Sequence, residues 1–207
     1  VMSFNEDTGV YAGLPWFFHV WTRDEAVALK ALLLMKKRDI TKKIVRRQLN
    51  NLSEGGRIPN IVFGRYSSIT GEAPLASADG TGWIFKRISD IMALRKKEFS
   101  LEERKLISDK LNDSIQKLRS AYEQDKLIIN KDLETWMDTS SENGEDKRAG
   151  FRIEIQALQL AMYRLAYQLT RKKEYKRLEN ELKEKVREKF WNGRTLADGL
   201  DDFTIRP

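Results

Sequence analysis

Cysteine is missing from these 207 residues, and histidine occurs once, at His19. No disulfide framework and no thiolate zinc site can be built from such a chain. A single histidine also excludes a histidine-based metal cluster and any catalytic triad that needs a histidine base. A cofactor-free enzyme of this composition has to work through carboxylates, and no cofactor is expected. Proline is scarce, with four residues, and the twelve glycines gather in a few places, so long stretches are free to be helical. Long apolar runs are missing too. The longest, Ala26 to Met35, is too short to span a membrane and is broken by Lys30. No signal peptide or membrane segment is read, and a cytoplasmic location is expected.

What is present argues for a folded domain. Hydrophobic residues make up 41% of the chain and charged residues 33%, with five Trp among the aromatics. The net charge of +7 comes from 38 basic against 31 acidic residues. Much of the excess lies in Lys36–Arg47 and Arg171–Lys189, where charges alternate with apolar positions. That pattern reads as a solvated outer face rather than a nucleic-acid patch. A basic helical nucleic-acid-binding module is the alternative from another functional class.

Apolar periodicity predicts six helices. The first, about Asp24 to Lys37, is apolar on nearly every side. The second, about Ile40 to Leu52, carries a stripe of Ile40, Ile44, Val45, Leu49 and Leu52. The third runs from about Thr81 to Lys97. Ser100 and Glu103 form a capping box for the fourth, with its stripe of Ile107, Leu111, Ile115, Leu118 and Tyr122. The fifth, about Ile153 to Thr170, is again apolar almost all round. The sixth, about Glu174 to Phe190, is one-sided. Only Ile58 to Ile69 offers a short strand. Buried helices alternating with one-sided ones suit two concentric helical layers, odd members inside and the third intermediate. The long loops, Asn51–Gly80 and Lys126–Arg152, both lead into odd helices, and so gather at one end, where sites are usually built.

Four segments on that rim could carry chemistry. Arg23-Asp24 follows Trp16, Phe17, Phe18 and Trp21, and sugars are bound by aromatic faces together with charged groups that fork onto adjacent hydroxyls; the plainer reading is an N-cap, with Thr22 and Glu25 at capping-box spacing. Asp79 could cap the third helix, and the glycines around it can be read as turns. They do not make a phosphate loop, because no Lys-Ser/Thr follows them. Asp138 sits beside Trp136 and Met137, an apolar setting that favours the neutral form a general acid needs; ordinary packing of that Trp is the alternative. Arg148 precedes a segment that places Glu154 in the first turn of an apolar helix, where a carboxylate either has a buried partner or faces a cavity.

These residues also carry a resemblance. Gly13-Leu14-Pro15-Trp16-Phe17 with Val20-Trp21-Thr22-Arg23-Asp24 resembles the first barrel helix of glucoamylase-like enzymes and of the amylo-α-1,6-glucosidase domain of glycogen debranching enzymes. Gly56-Arg57-Ile58-Pro59-Asn60 is similar to the latter's Gly-Leu-Ile-Pro-Asn, and Ala78-Asp79 with Trp83 to its Val-Asp-Ala-x-x-Trp. Glu134-Thr135-Trp136-Met137-Asp138 matches Thr-Trp-Met-Asp, and Arg148-Ala149-Gly150 through Glu154-Ile155-Gln156-Ala157-Leu158 also recurs there. The resemblance implies an all-α fold, part of an (α/α)6 barrel comprising about half of the toroid, and an inverting hydrolase of α-glucans. By the match Asp138 is the general acid, Arg23 and Asp24 grip the terminal glucose, and Asp79 and Glu154 line the pocket. Trp21, Trp136 and Arg148 complete the candidate substrate-binding set. Where debranching enzymes usually have Trp-Gly-Arg-Asp, this chain has Trp-Thr-Arg-Asp, closer to glucoamylases and trehalases. Both an α-1,6-debranching activity and a glucoamylase-like or trehalase activity therefore stay open. The family's general base lies downstream of an Arg-Pro like Arg206-Pro207, so residues 1–207 are expected to be one part of a catalytic domain that lacks its base. The expected partner is an α-glucan oligosaccharide or glycogen branch stub, with no membrane; oligomeric state is not legible.

Overall fold

The computed structural model describes residues 2–4, 7–13, 15–16, 19–62, 77–94, 98–137, 148–201 and 204–206. Among them lie six helices: α1 (Thr22–Leu34), α2 (Arg38–Asn50), α3 (Gly80–Leu94), α4 (Leu101–Tyr122), α5 (Ile153–Thr170) and α6 (Lys173–Phe190). The all-α expectation holds, since every described strand has only two or three residues. The α4 start is capped as expected, with Ser100 Oγ accepting from Glu103 N and a Glu103 carboxylate oxygen accepting from Ser100 N. Two helix ends lack the usual glycine. At the end of α1, Lys36 takes a φ of 60°, and its N–H and that of Lys37 donate to Leu33 and Leu32 carbonyls. Arg171, with a φ of 58°, ends α5 by donating to Tyr167 O.

The helices pack as two rows. α1 lies against α3 and α3 against α5; α2 covers α1, while α4 and α6 flank α5. One core runs through both rows, from Ala26 and Leu29 of α1 through Ile84 and Phe85 of α3 to Leu165 of α5 and Leu182 of α6. The odd helices thus form one row and the even ones lie against it, the layering expected from their apolar patterns. Two expectations need correcting. α1 is not enclosed all round: Val27, Ala31 and Leu34 are exposed, because no described element packs on that side. α3, expected to be intermediate, is the most enclosed of the odd helices, being the middle member of its row. α3 and α5 come close together at Gly82, where a Cβ would lie 2.6 Å from Leu158 Cβ. Only hydrogen fits there.

Short strands tie the loops down. β1 (Met2–Phe4) pairs with β2 (Asp7–Gly9), and β3 (Val20–Trp21) pairs antiparallel with β4 (Ile61–Val62), inside the segment where a strand was expected. β5 (Glu123–Gln124) and β6 (Leu127–Ile128) form a hairpin. β7 (Phe151–Arg152) joins β8 (Gly199–Asp201) and β9 (Thr204–Arg206) in a three-stranded sheet. None is long enough for an alternating pattern to show. Part of the charge in the basic stretches is matched by carboxylates: Lys42 and Arg46 share Glu103, and Lys176 and Lys183 converge with Arg164 on Glu179. Among the described residues no helix is long and apolar enough to cross a membrane.

Candidate active site

The starts of α1, α3 and α5 meet at one rim. β3 delivers the chain into α1 beside the Gly56–Asn60 segment, where Thr22 N donates to Asn60 O (2.8 Å) and Thr22 Oγ1 to Pro59 O (2.6 Å). The capping-box reading of Thr22 and Glu25 is thereby overturned: α1 has no side-chain cap, and both residues make long-range bonds instead. Glu25 is fully buried, paired with Arg47 and accepting from Gln48 Nε2 (2.5 Å) and Val10 N (3.0 Å). Burial outweighs these partners and pushes its carboxyl above the ordinary carboxylate range. Thr22 is fully buried too, so its departure from the usual Gly is a packing feature of the loop contact.

One residue further, Arg23 reaches across the rim. Its Nε donates to Asp79 Oδ2 at 2.6 Å and its Nη2 to Asp79 Oδ1 at 3.1 Å, a forked pair between the first turn of α1 and the residue before α3. The same Nη2 donates to Thr135 O at 2.7 Å, in the loop that precedes α5. Asp79 does not cap α3 with its side chain; Ser77 Oγ accepts from Gly80 N (2.9 Å) and donates to Asp79 Oδ1 (3.0 Å). Asp24 is exposed. The partner that Arg23 uses is thus the distant Asp79 rather than its neighbour in sequence.

A second cluster adjoins the first through the Thr135–Trp136 peptide. Arg148, buried and left-handed with a φ of 56°, donates from Nη2 to Glu154 Oε1 (2.7 Å) and from Nη1 and Nη2 to both oxygens of Asp198 (2.6 and 3.2 Å). Burial works against its charge, but the hydrogen bonds to Asp198 and Glu154 prevail and hold its pKa above the ordinary arginine value. Its guanidinium lies 5.4 Å from the Trp136 ring centre. Glu154 therefore has the partner that its place in an apolar helix demanded. Trp136 and Met137 are 57% and 42% exposed, so their apolar surface stays available beside the rim, whereas Trp21 is half-buried in β3. Asp138 lies outside the described residues.

Sequence reasoning missed two members of this arrangement. Asp198 stands in an Ala-Asp-Gly turn with no periodicity, and only the pairing of β7 with β8 brings it to Arg148. Glu134 was visible merely as part of a motif. Its carboxylate accepts from Arg57 Nη1 (2.8 Å) and Lys131 N (2.8 Å), and its carbonyl from Ala78 N (2.7 Å). Among the described residues no group of three or more His, Asp or Glu could hold a metal ion.

A rim of this kind, with forked cations, carboxylates and an exposed indole, is chemically suited to a neutral polyhydroxylated ligand. The family model described as amylo-alpha-1,6-glucosidase matches residues 2–207. The chain belongs to that family. It is accordingly a domain of the glycogen-debranching type of glycoside hydrolase, and an α-glucan is the kind of substrate the family acts on. No curated protein matches the chain.

Proposed function

We propose that these residues form the acid-bearing side of an inverting α-1,6-glucosidase site that removes glucosyl stubs from branched α-glucan. The observation that carries the proposal is the junction of Arg23, Asp79 and the Thr135 carbonyl at one rim, made by three segments far apart in sequence. In this reading Arg23 and Asp79 set the polar edge of the glucose pocket, with the exposed Asp24 beside it. Trp21 and Trp136 give the pocket apolar faces. Arg148 orients Glu154 toward the same ligand. Asp138, two residues after Trp136, is the general acid: it protonates the glycosidic oxygen as the bond to the departing glucan breaks. A second carboxylate takes a proton from water on the opposite face of the sugar, so the product glucose has inverted configuration. By the resemblance that base comes from further along the chain than Pro207. The neighbours of Asp138 in sequence, Trp136 and Met137, support the acid role, since an apolar setting favours the neutral form of a carboxyl.

The test uses the full-length protein, assayed for glucose release from glycogen limit dextrin, isomaltose, maltose and trehalose. Asp138→Asn is expected to lower kcat on the preferred substrate by about 100-fold or more, the usual size of an acid–base contribution. Unchanged hydrolysis by that variant would refute the acid assignment. Preference for maltose or trehalose over the α-1,6 substrates would refute the linkage.

A further inference from the structure

Glu134 and Arg57 are both buried, and neither side chain bonds to Arg23 or Asp79. Their geometry is more elaborate than a core ion pair requires. Arg57 stacks on the Tyr122 ring, its guanidinium 3.6 Å from the ring centre, and Nη1 donates to Glu134 Oε2. That same oxygen accepts from Lys131 N, closing a turn in which Leu133 is left-handed with a φ of 63°. A non-glycine residue in that region is strained and persists only when its surroundings over-determine it. The backbone beyond the turn serves the rim: Glu134 O accepts from Ala78 N, next to Asp79, and Thr135 O accepts from Arg23.

We propose that Arg57 and Glu134 are positioning residues for the sugar pocket. They hold a strained turn so that the Thr135 carbonyl meets Arg23 and the Trp136 ring stays beside Arg148. The inference rests on the reading of Arg23 and Asp79 as pocket residues given above. It adds a route from the α2–α3 loop and α4 into the pocket, through side chains that no ligand would touch.

The test is a double-mutant cycle in the full-length protein, read as kcat/KM on the α-1,6 stubs of glycogen limit dextrin. Glu134→Gln keeps the side-chain shape and removes the charge that closes the turn. Alone it is expected to lower kcat/KM about tenfold, a coupling ordinary for residues in one network. In an Arg23→Lys background, which has already lost the fork to Asp79, the same change should cost less than about twofold. A general loss of stability would lower activity equally in both backgrounds, and that additive result overturns the proposal. So does a folded Glu134→Gln enzyme of unchanged kcat/KM. Should Glu134→Gln not fold, Arg57→Lys, which keeps the cation but not the stack on Tyr122, takes its place in the cycle: a loss confined to the Arg23 background supports the positioning role, and an additive loss or none overturns it. If Asp138→Asn and Arg23→Lys are themselves fully active, the pocket reading has failed; if both are crippled while the cycle is additive, only the positioning inference has.

Discussion

Asp79→Asn tests the rim most directly, because it removes one charge and leaves the shape almost intact. The Asp79 side chain is 2% exposed and that of Arg23 15% exposed, so water cannot take over the lost contacts. The carboxylate accepts from Arg23 Nε at 2.6 Å, Arg23 Nη2 at 3.1 Å and Ser77 Oγ at 3.0 Å. Asparagine keeps one acceptor oxygen and turns an amide N–H₂ toward a donor. Losing a charge-assisted hydrogen bond costs about 1.5–3 kcal/mol, and deleting one partner of a buried pair outright costs about 3–5 kcal/mol. An isosteric change falls near the lower of these, so we expect about 2 kcal/mol. Asp113 is the control: its pair with Lys117 is 45% and 37% exposed, and Asp113→Asn should cost less than about 1 kcal/mol. Urea unfolding of the full-length protein reads both as midpoint shifts at constant slope. Combined with Arg23→Gln, Asp79→Asn should show a coupling of about 1.5 kcal/mol or more. A buried fork at the rim is refuted if Asp79→Asn costs no more than Asp113→Asn, or if its effect simply adds to that of Arg23→Gln.

Two further outcomes follow from the packing. At Glu179, burial opposes ionisation, yet hydrogen bonds from Lys183, Arg164 and Lys176 bring its carboxyl down to about 2. A depressed carboxylate stabilises above its unfolded value near 4.5 and loses that contribution as pH falls toward 2. Its three partners are about half exposed, so Glu179→Gln should cost about 1–2 kcal/mol at neutral pH after screening, with the difference from the parent vanishing on acid titration; a deficit that is the same at pH 7 and pH 3 would contradict this. Gly82→Ala gains about 1 kcal/mol of helix propensity but drives a methyl into Leu158, an overpacking cost of about 1–3 kcal/mol. The net effect should be a lower Tm that Leu158→Ala does not restore, because alanine keeps the Cβ that a methyl on Gly82 would meet; a higher Tm would mean that α3 and α5 do not approach as described.

The helices were legible because their stripes are long and their ends carry chemistry: α5 begins and ends at the predicted Ile153 and Thr170, and Ser100 and Glu103 form the expected cap. The rim was legible only as a tendency. Alternate helices joined in an up-down path had to begin at one end, but the path of the chain does not choose partners. Arg23 could have paired with Asp24, one residue away; a helix directs successive side chains about 100° apart, and the structure turns Arg23 toward Asp79 instead. Thr22 and Glu25 had the right spacing for a cap, yet burial gave both of them stronger obligations elsewhere.

Local order in the chain determined which stretches coil and which of their faces are apolar. These properties depend on neighbours three or four residues away. The meeting of Arg23 with Asp79, of Arg148 with Asp198 and of Arg57 with Glu134 spans 50 residues or more in each case. Such pairs have no periodic signature, because they are selected by which buried charge finds a partner once the helices have stacked. Only the tertiary structure could decide them.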